Sequence, residues 1–200
     1  MTDSSTSTQA SAWTRKPINH RKVDLVSYLR SDGLWDIEAT LTDTRAYAST
    51  ALERGHIAAG DPVHDIHVCV TLNDQMVVET ARASMNTVPY GACPGALPTV
   101  ERMAGAQVGP GWRRQIDQQL GNDLGCTHIR EMLLHIATMA YQTIPVWHAQ
   151  ATGDMVAGID GAPPMHLGKC TAWAFDGPVV ARHYPQFAKR NKASQDGPGF

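Results

Sequence analysis

The strongest constraint on the fold is a change of hydrophobic period half-way along the chain. Before the stretch YGACPGAL, apolar residues recur at every second position. In HRKVDLVSYLR, Val23, Leu25 and Leu29 face one way, with Lys22, Asp24 and Arg30 on the other side. That is the period of a half-buried strand. Ser31-Asp32-Gly33 predicts a turn, because Asp and Gly tolerate turn dihedrals. LWDIEATL then returns with Trp35, Ile37, Ala39 and Leu41 in phase. The loop-like ERGHIAAGDP follows, and HDIHVCVTL resumes the alternation with Ile66, Val68, Val70 and Leu72. Asn73-Asp74 predicts a tight two-residue turn, and QMVVETARAS pairs back.

Beyond YGACPGAL the spacing becomes helical. PGALPTVERMAG carries Leu97, Val100 and Ala104 before a stop at Gly105. GWRRQIDQQLG places Trp112, Ile116 and Leu120 four apart, with Gly121 as the predicted C-cap. GNDLGCTHIREMLLHIATMAYQ puts Ile129, Leu133, Ile136 and Ala140 on one face of a long amphipathic helix, which Pro145 is expected to end. The Gly- and Pro-rich ATGDMVAGIDGAPPMHLGKC reads as loop, and GPVVARHY as a short strand. Strands followed by helices predict an α+β fold, an antiparallel sheet of two hairpins with helices packed on one face.

Two hundred residues suit one domain, placed at residues 18–187 between polar tails at 1–17 and 188–200. A net charge of -2 carries no signature of nucleic acid or an anionic membrane. No apolar run reaches the roughly 18 residues of a spanning helix, and MTDSSTSTQASAWTRKP lacks the layout of a secretory signal. Cys69, Cys93, Cys126 and Cys170 are widely spaced and form no CxxC pair. These features predict a cytosolic protein with reduced thiols. GxGxxG, P-loop, GxSxG and EF-hand patterns do not occur, so no nucleotide cofactor is indicated.

His64 and Asp65 open the third long strand, beside a loop, where reacting groups are often placed. His64 suits a general base or metal ligand, and Asp65 suits a base or an orienting partner. A pair making only local hydrogen bonds fits the same residues. Cys93 lies among Gly91, Pro94 and Gly95, where the backbone can approach another group. Cys126 opens the long helix, whose positive dipole end favours a thiolate, although a free cysteine also serves as a small apolar side chain. His128, Glu131 and His135 share one helix face, either as an exposed polar stripe or as partial metal ligands. Of these, His128 shares the helix mouth with Cys126. Cys69 projects from the opposite strand face to His64 and reads as packing, and no spacing argument brings Cys170 to the site.

Together, NHRKVDLVSYLRSDGLWDIEATLTDTRAY, PVHDIHVCVTLND, CPGA and GCTHIREML resemble a bacterial domain-of-unknown-function family, number 2889, from about His20 to about Tyr184. The resemblance implies a cytosolic bacterial setting and an association with breakdown of aromatic and other unusual carbon compounds. In layout the chain is also similar to iron–sulfur cluster assembly scaffolds. That similarity sets His64 and Cys93 at the first two cysteine positions and Cys126 at the helix-mouth cysteine. Gly125 stands at the scaffold's histidine position, with His128 displaced along the helix.

With the association that the family resemblance implies, these readings predict an enzyme of small-molecule catabolism acting on an aromatic compound such as one derived from lignin. The expected reaction is a lyase step without a redox cofactor, a retro-aldol-type carbon–carbon cleavage that releases an aldehyde. His64, Asp65 and His128 are the expected acid–base groups. His64, Cys93 and Cys126 are the candidate ligands for Zn²⁺, which accepts mixed nitrogen and sulfur donors. The alternatives are a metal or iron–sulfur carrier, a metal-dependent hydrolase, or a function carried by the ERGHIAAGDP loop. The partners expected are a small-molecule substrate and a second copy of the chain.

Overall fold

The computed structural model describes residues 14–152, 162–164 and 166–189. Six strands occur in it: β1 (Asn19–Leu29), β2 (Trp35–Arg45), β3 (Ser49–Ala51), β4 (Gly55–Ile57), β5 (Pro62–Leu72) and β6 (Val78–Thr87). The four long strands form one antiparallel sheet in the order β1-β2-β5-β6. The short β3 and β4 pair with each other, so the expected loop at ERGHIAAGDP carries part of a small hairpin. The α+β architecture follows from the two periods. Trp35, Ile37, Ala39 and Leu41 of β2 and Ile66, Val68, Val70 and Leu72 of β5 are all buried against the helices.

The β5–β6 connection is longer than a two-residue turn, spanning residues 73–77. Asn73 organises it by accepting the backbone N–H groups of Gln75 and Val77 on its side-chain oxygen, each at 3.0 Å. Met76, at φ 59°, drops its side chain into the core, and this anchoring accounts for the added length.

Four helices follow: α1 (Leu97–Val100), α2 (Trp112–Leu120), α3 (Thr127–Thr152) and α4 (Pro178–His183). α1 lies between two 3-10 turns, Cys93–Ala96 and Glu101–Met103, and packs on β6. Trp112, Ile116 and Leu120 of α2 are buried, and the Trp112 indole N–H donates to the Leu133 carbonyl at 3.0 Å. Gly121 does cap α2, in extended rather than left-handed backbone. A Cβ there would stand 2.1 Å from the Asp117 carbonyl oxygen, so close backbone approach is what requires glycine.

α3 lies across β1, β2 and β5, and its predicted face of Ile129, Leu133, Ile136 and Ala140 is fully buried. It does not end at Pro145, which stands inside the helix. Proline removes one backbone hydrogen bond there. The last turns are held from outside instead: Ile144 is buried, Trp147 meets the Trp35 ring edge-on, and His148 Nε2 lies 2.9 Å from Asp74 Oδ1. The Trp35 indole N–H donates to that same carboxylate oxygen at 2.9 Å. Midway, the hydroxyls of Thr143 and Ser27 lie 3.0 Å apart. No helix among the described residues is long and apolar enough to cross a membrane.

GPVVARHY forms α4 rather than a strand. Pro178 fits a first helical turn, which needs no N–H from it. Val180 is buried in a small cluster with Leu167 and Tyr184. The expected tails fall largely on residues 1–13 and 190–200, outside the described residues, as does part of the expected loop before Cys170.

Candidate functional site

The site begins as a row across three strands. Antiparallel register places Arg21 of β1 opposite Asp43 of β2, and Asp43 opposite His64 of β5. All three extend the apolar phase of their strands by one step, so they project from the face that packs on the helices. The first turn of α3 comes down onto this row with His128. The result is a compact group: His64 Nδ1 lies 3.1 Å from Asp43 Oδ2, and His128 Nε2 lies 3.5 Å from the same oxygen. The two imidazole rings are tilted against each other with centroids 4.2 Å apart.

Arg21 holds the carboxylate. Its Nε and Nη2 donate to Asp43 Oδ1 at 2.7 Å and Oδ2 at 2.8 Å, a bidentate fork, while Nη1 donates to Glu131 Oε2 of α3 at 2.9 Å. Such forks fix orientation as well as charge. Burial alone would push the Asp43 carboxyl upward. The Arg21 hydrogen bonds and the charges of Arg21, His64 and His128 outweigh it and hold Asp43 below the usual carboxylate value. An ionised carboxylate only accepts, so His64 donates from Nδ1 and keeps Nε2 as its lone-pair nitrogen. Burial drives the His64 pKa below its ordinary value, with Arg21 and Arg45 adding to the effect and Asp43 opposing it.

Cys126 stands immediately before α3, and its carbonyl accepts the Arg130 N–H at 3.1 Å. Its sulfur lies 3.6 Å from His128 Nδ1. Burial would raise this thiol, but His128 and the backbone N–H groups of Ile129 and His128 lower it overall. The preceding Gly125 is locked by shape, since a Cβ there would meet the Leu120 carbonyl oxygen at 2.8 Å. A histidine at that position, as in the scaffold layout, would not fit this turn.

His64, Cys93, Cys126 and His128 all line one open cavity of about 930 Å³. Much of its wall is apolar, from Val63, Ile66, Met85, Val88, Pro89 and Leu124. Asp65 is not in it. Alternation turns Asp65 to the other sheet face, where its carboxylate accepts from Asn86 at 3.2 Å. His67 shares that face and meets Glu38 at 3.6 Å. His135 is exposed on α3. The expected metal set of His64, Cys93 and Cys126 is not drawn together as a group. Among the described residues, the one cluster whose ligand atoms lie within 4.8 Å of one another is Asp43, His64 and His128.

Thiol environments differ enough to be read chemically. Burial pushes Cys69 up to about 11, with Asp36 and Glu38 adding to the shift, whereas Cys126 is activated. Iodoacetamide at neutral pH is expected to modify Cys126 well before Cys69, because the thiolate is the nucleophile. Peptide mass spectrometry over time checks the order, and equal rates would contradict the assigned environments.

A family model described as "Protein of unknown function (DUF2889)" matches residues 19–142. The chain belongs to this family. The DUF2889 span runs from the first residue of β1 well into α3, and so contains Arg21, Asp43, His64, Cys93, Cys126 and His128 together. No curated protein and no solved structure matches the chain.

Proposed function

We propose that this DUF2889 protein is a lyase that cleaves a carbon–carbon bond of an aromatic alcohol in a retro-aldol-type step and releases a small aldehyde. The observation that carries the proposal is the pair of imidazoles on one carboxylate, beside a cavity whose wall is part polar and part apolar. His64 Nε2 takes the substrate hydroxyl proton. The C–O bond becomes the aldehyde C=O as the neighbouring C–C bond breaks. The released electron pair passes to the ring-bearing fragment, and His128 supplies the proton that completes it. Electrons and protons balance without an oxidant. General acid–base groups of this kind contribute about 10²–10⁴-fold in rate. Asp43 fixes the His64 tautomer, Arg21 fixes Asp43, and the apolar wall receives the ring. Four free thiols suit a reducing cytosol.

A panel of aromatic alcohols assayed for released aldehyde tests this reading. Release that disappears in His64→Ala and His128→Ala supports it. Silence of the wild-type protein across the panel overturns it.

A metal-dependent hydrolase is the second reading, favoured by the Asp43–His64–His128 group. Two histidines and one carboxylate leave open positions for water on a divalent ion. Bonds near 2.0–2.2 Å require the ligand atoms to close to within about 4.4 Å, and Arg21 competes for both carboxylate oxygens. Stoichiometric zinc that is lost in Asp43→Ala, with activity removed by a chelator, would favour this reading over the lyase.

A further inference from the structure

The cavity wall carries a cation that makes no hydrogen bond within the acid–base group, although its charge is felt at His64. Arg45 ends β2 two residues beyond Asp43, in the same strand phase, and lines the cavity with His64 and Cys93. Three other arginines of the strands and their loops are engaged, while Arg82 of β6 is exposed, opposite Cys69 and outside the cavity lining. Arg21 binds Asp43 and Glu131, Arg30 binds Asp32, and Arg54 donates to the Pro62 carbonyl. Arg45 is a half-buried residue, and its guanidinium has no hydrogen-bond or ion-pair partner among the described residues. Of the carboxylates on the cavity wall, Glu53 is occupied in accepting the Gly91 N–H at 2.6 Å, and Asp123 is exposed. A guanidinium on a cavity wall, with five donors, no acceptor and no protein partner, is a site for an anion.

We propose that Arg45 forms an anion subsite of this cavity, which receives a carboxylate carried by an aromatic substrate. The inference rests on the lyase reading for the substrate's aromatic character and adds its charge. One planar fork matches a carboxylate bidentately, whereas a phosphate group would call for further cations. Arg45 stands two positions beyond Asp43, with Thr44 between them, roughly 7 Å along β2. Met85, Val88 and Leu124 line the same cavity and offer apolar surface to a ring.

Calorimetric titration with 4-methoxycinnamate and with the neutral 4-methoxycinnamyl alcohol tests the subsite without turnover. The wild-type protein is expected to bind the acid more tightly than the alcohol. Arg45→Met is expected to weaken the acid about 10- to 100-fold, the equivalent of about 1.5–3 kcal/mol for a charge-assisted hydrogen bond. The alcohol's affinity should stay unchanged. Arg45→Lys should recover part of the loss, as a point charge without the fork, and it carries the test if Arg45→Met fails to fold. A wild-type protein that binds the acid no better than the alcohol, or binds neither, overturns the proposal. Equal weakening of both ligands in the variants does so as well. Failure of the lyase reading is separate, since it shows as absent aldehyde release whatever the titration gives.

Discussion

His64→Ala is expected to lower kcat for aldehyde release by about 10²–10⁴-fold, the range for loss of a general base. The fold should survive, because the His64 ring faces a cavity rather than filling the core. Its pH behaviour follows from its surroundings. Burial and the charges of Arg21 and Arg45 place its pKa below the ordinary 6.5. In the proposed mechanism His64 acts as a base in its neutral form, so the wild-type rate should hold through 6.5 and fall only at lower pH. The same shift has a stability consequence. The unfolded chain takes up a proton at this residue near 6.5, while the folded chain does so only at lower pH. Stability therefore declines as pH drops through 6.5 and stops declining at the folded pKa. The variant should lose that segment of the pH–stability curve. A variant with full kcat, or an acid limb centred above 6.5, would remove His64 from its role.

Asp43→Asn is expected to cost at least about 10²-fold and up to about 10⁴-fold in kcat, the loss seen where an amide replaces the carboxylate that orients a catalytic histidine. The amide can offer Arg21 and His64 one oxygen acceptor where the carboxylate offered two. It also carries no charge to oppose the burial of His64, so the acid limb should move to still lower pH. For the carboxylate, the sign of the linkage is the usual acidic one. Its folded pKa lies below the ordinary 3.8, so it stabilises the protein above the carboxylate range. That contribution is lost as pH falls through the folded pKa. The amide variant should melt earlier at neutral pH and show less further loss on acidification. Thermal melts from neutral to strongly acidic pH provide the check, and parallel curves for the two proteins would count against the Arg21–Asp43 coupling.

The sheet and the long helix were legible because their hydrophobic periods are long and unbroken. Half of the site was legible as well, since His64, Cys93, Cys126 and His128 do line one cavity. Asp43 and Arg21 carry a subtler signal. Trp35, Ile37, Ala39 and Leu41 define a buried phase, and the next residue in that phase is Asp43. Val23 and Leu25 define another, and the residue before them is Arg21. Ionisable groups that extend an apolar phase at one end of a sheet are aimed at the edge of the core. The same rule counts Asp65 out, because it is one step out of phase with Ile66. Pro145 was misread because its cost is local, whereas the contacts holding the helix beyond it, Trp147 on Trp35 and His148 on Asp74, join segments more than seventy residues apart.

Those contacts turn α3 into a measuring rod. His128 meets Asp43 near one end of β2, and Trp147 and His148 meet Trp35 and Asp74 at the other. Twenty positions of helix, from His128 to His148, cover about 30 Å at 1.5 Å each. Eight positions of strand, from Asp43 back to Trp35, cover about 27 Å. The two lengths agree within one helical turn, so the helix is docked at both ends against a strand of matching span. A single residue added between His128 and His148 would swing the first turn about 100° around the axis and carry His128 away from Asp43. In this domain the placement of His128 beside Asp43 and His64 depends on the length of α3 between its two docked ends, so an insertion there would displace the imidazole as surely as a substitution would remove it.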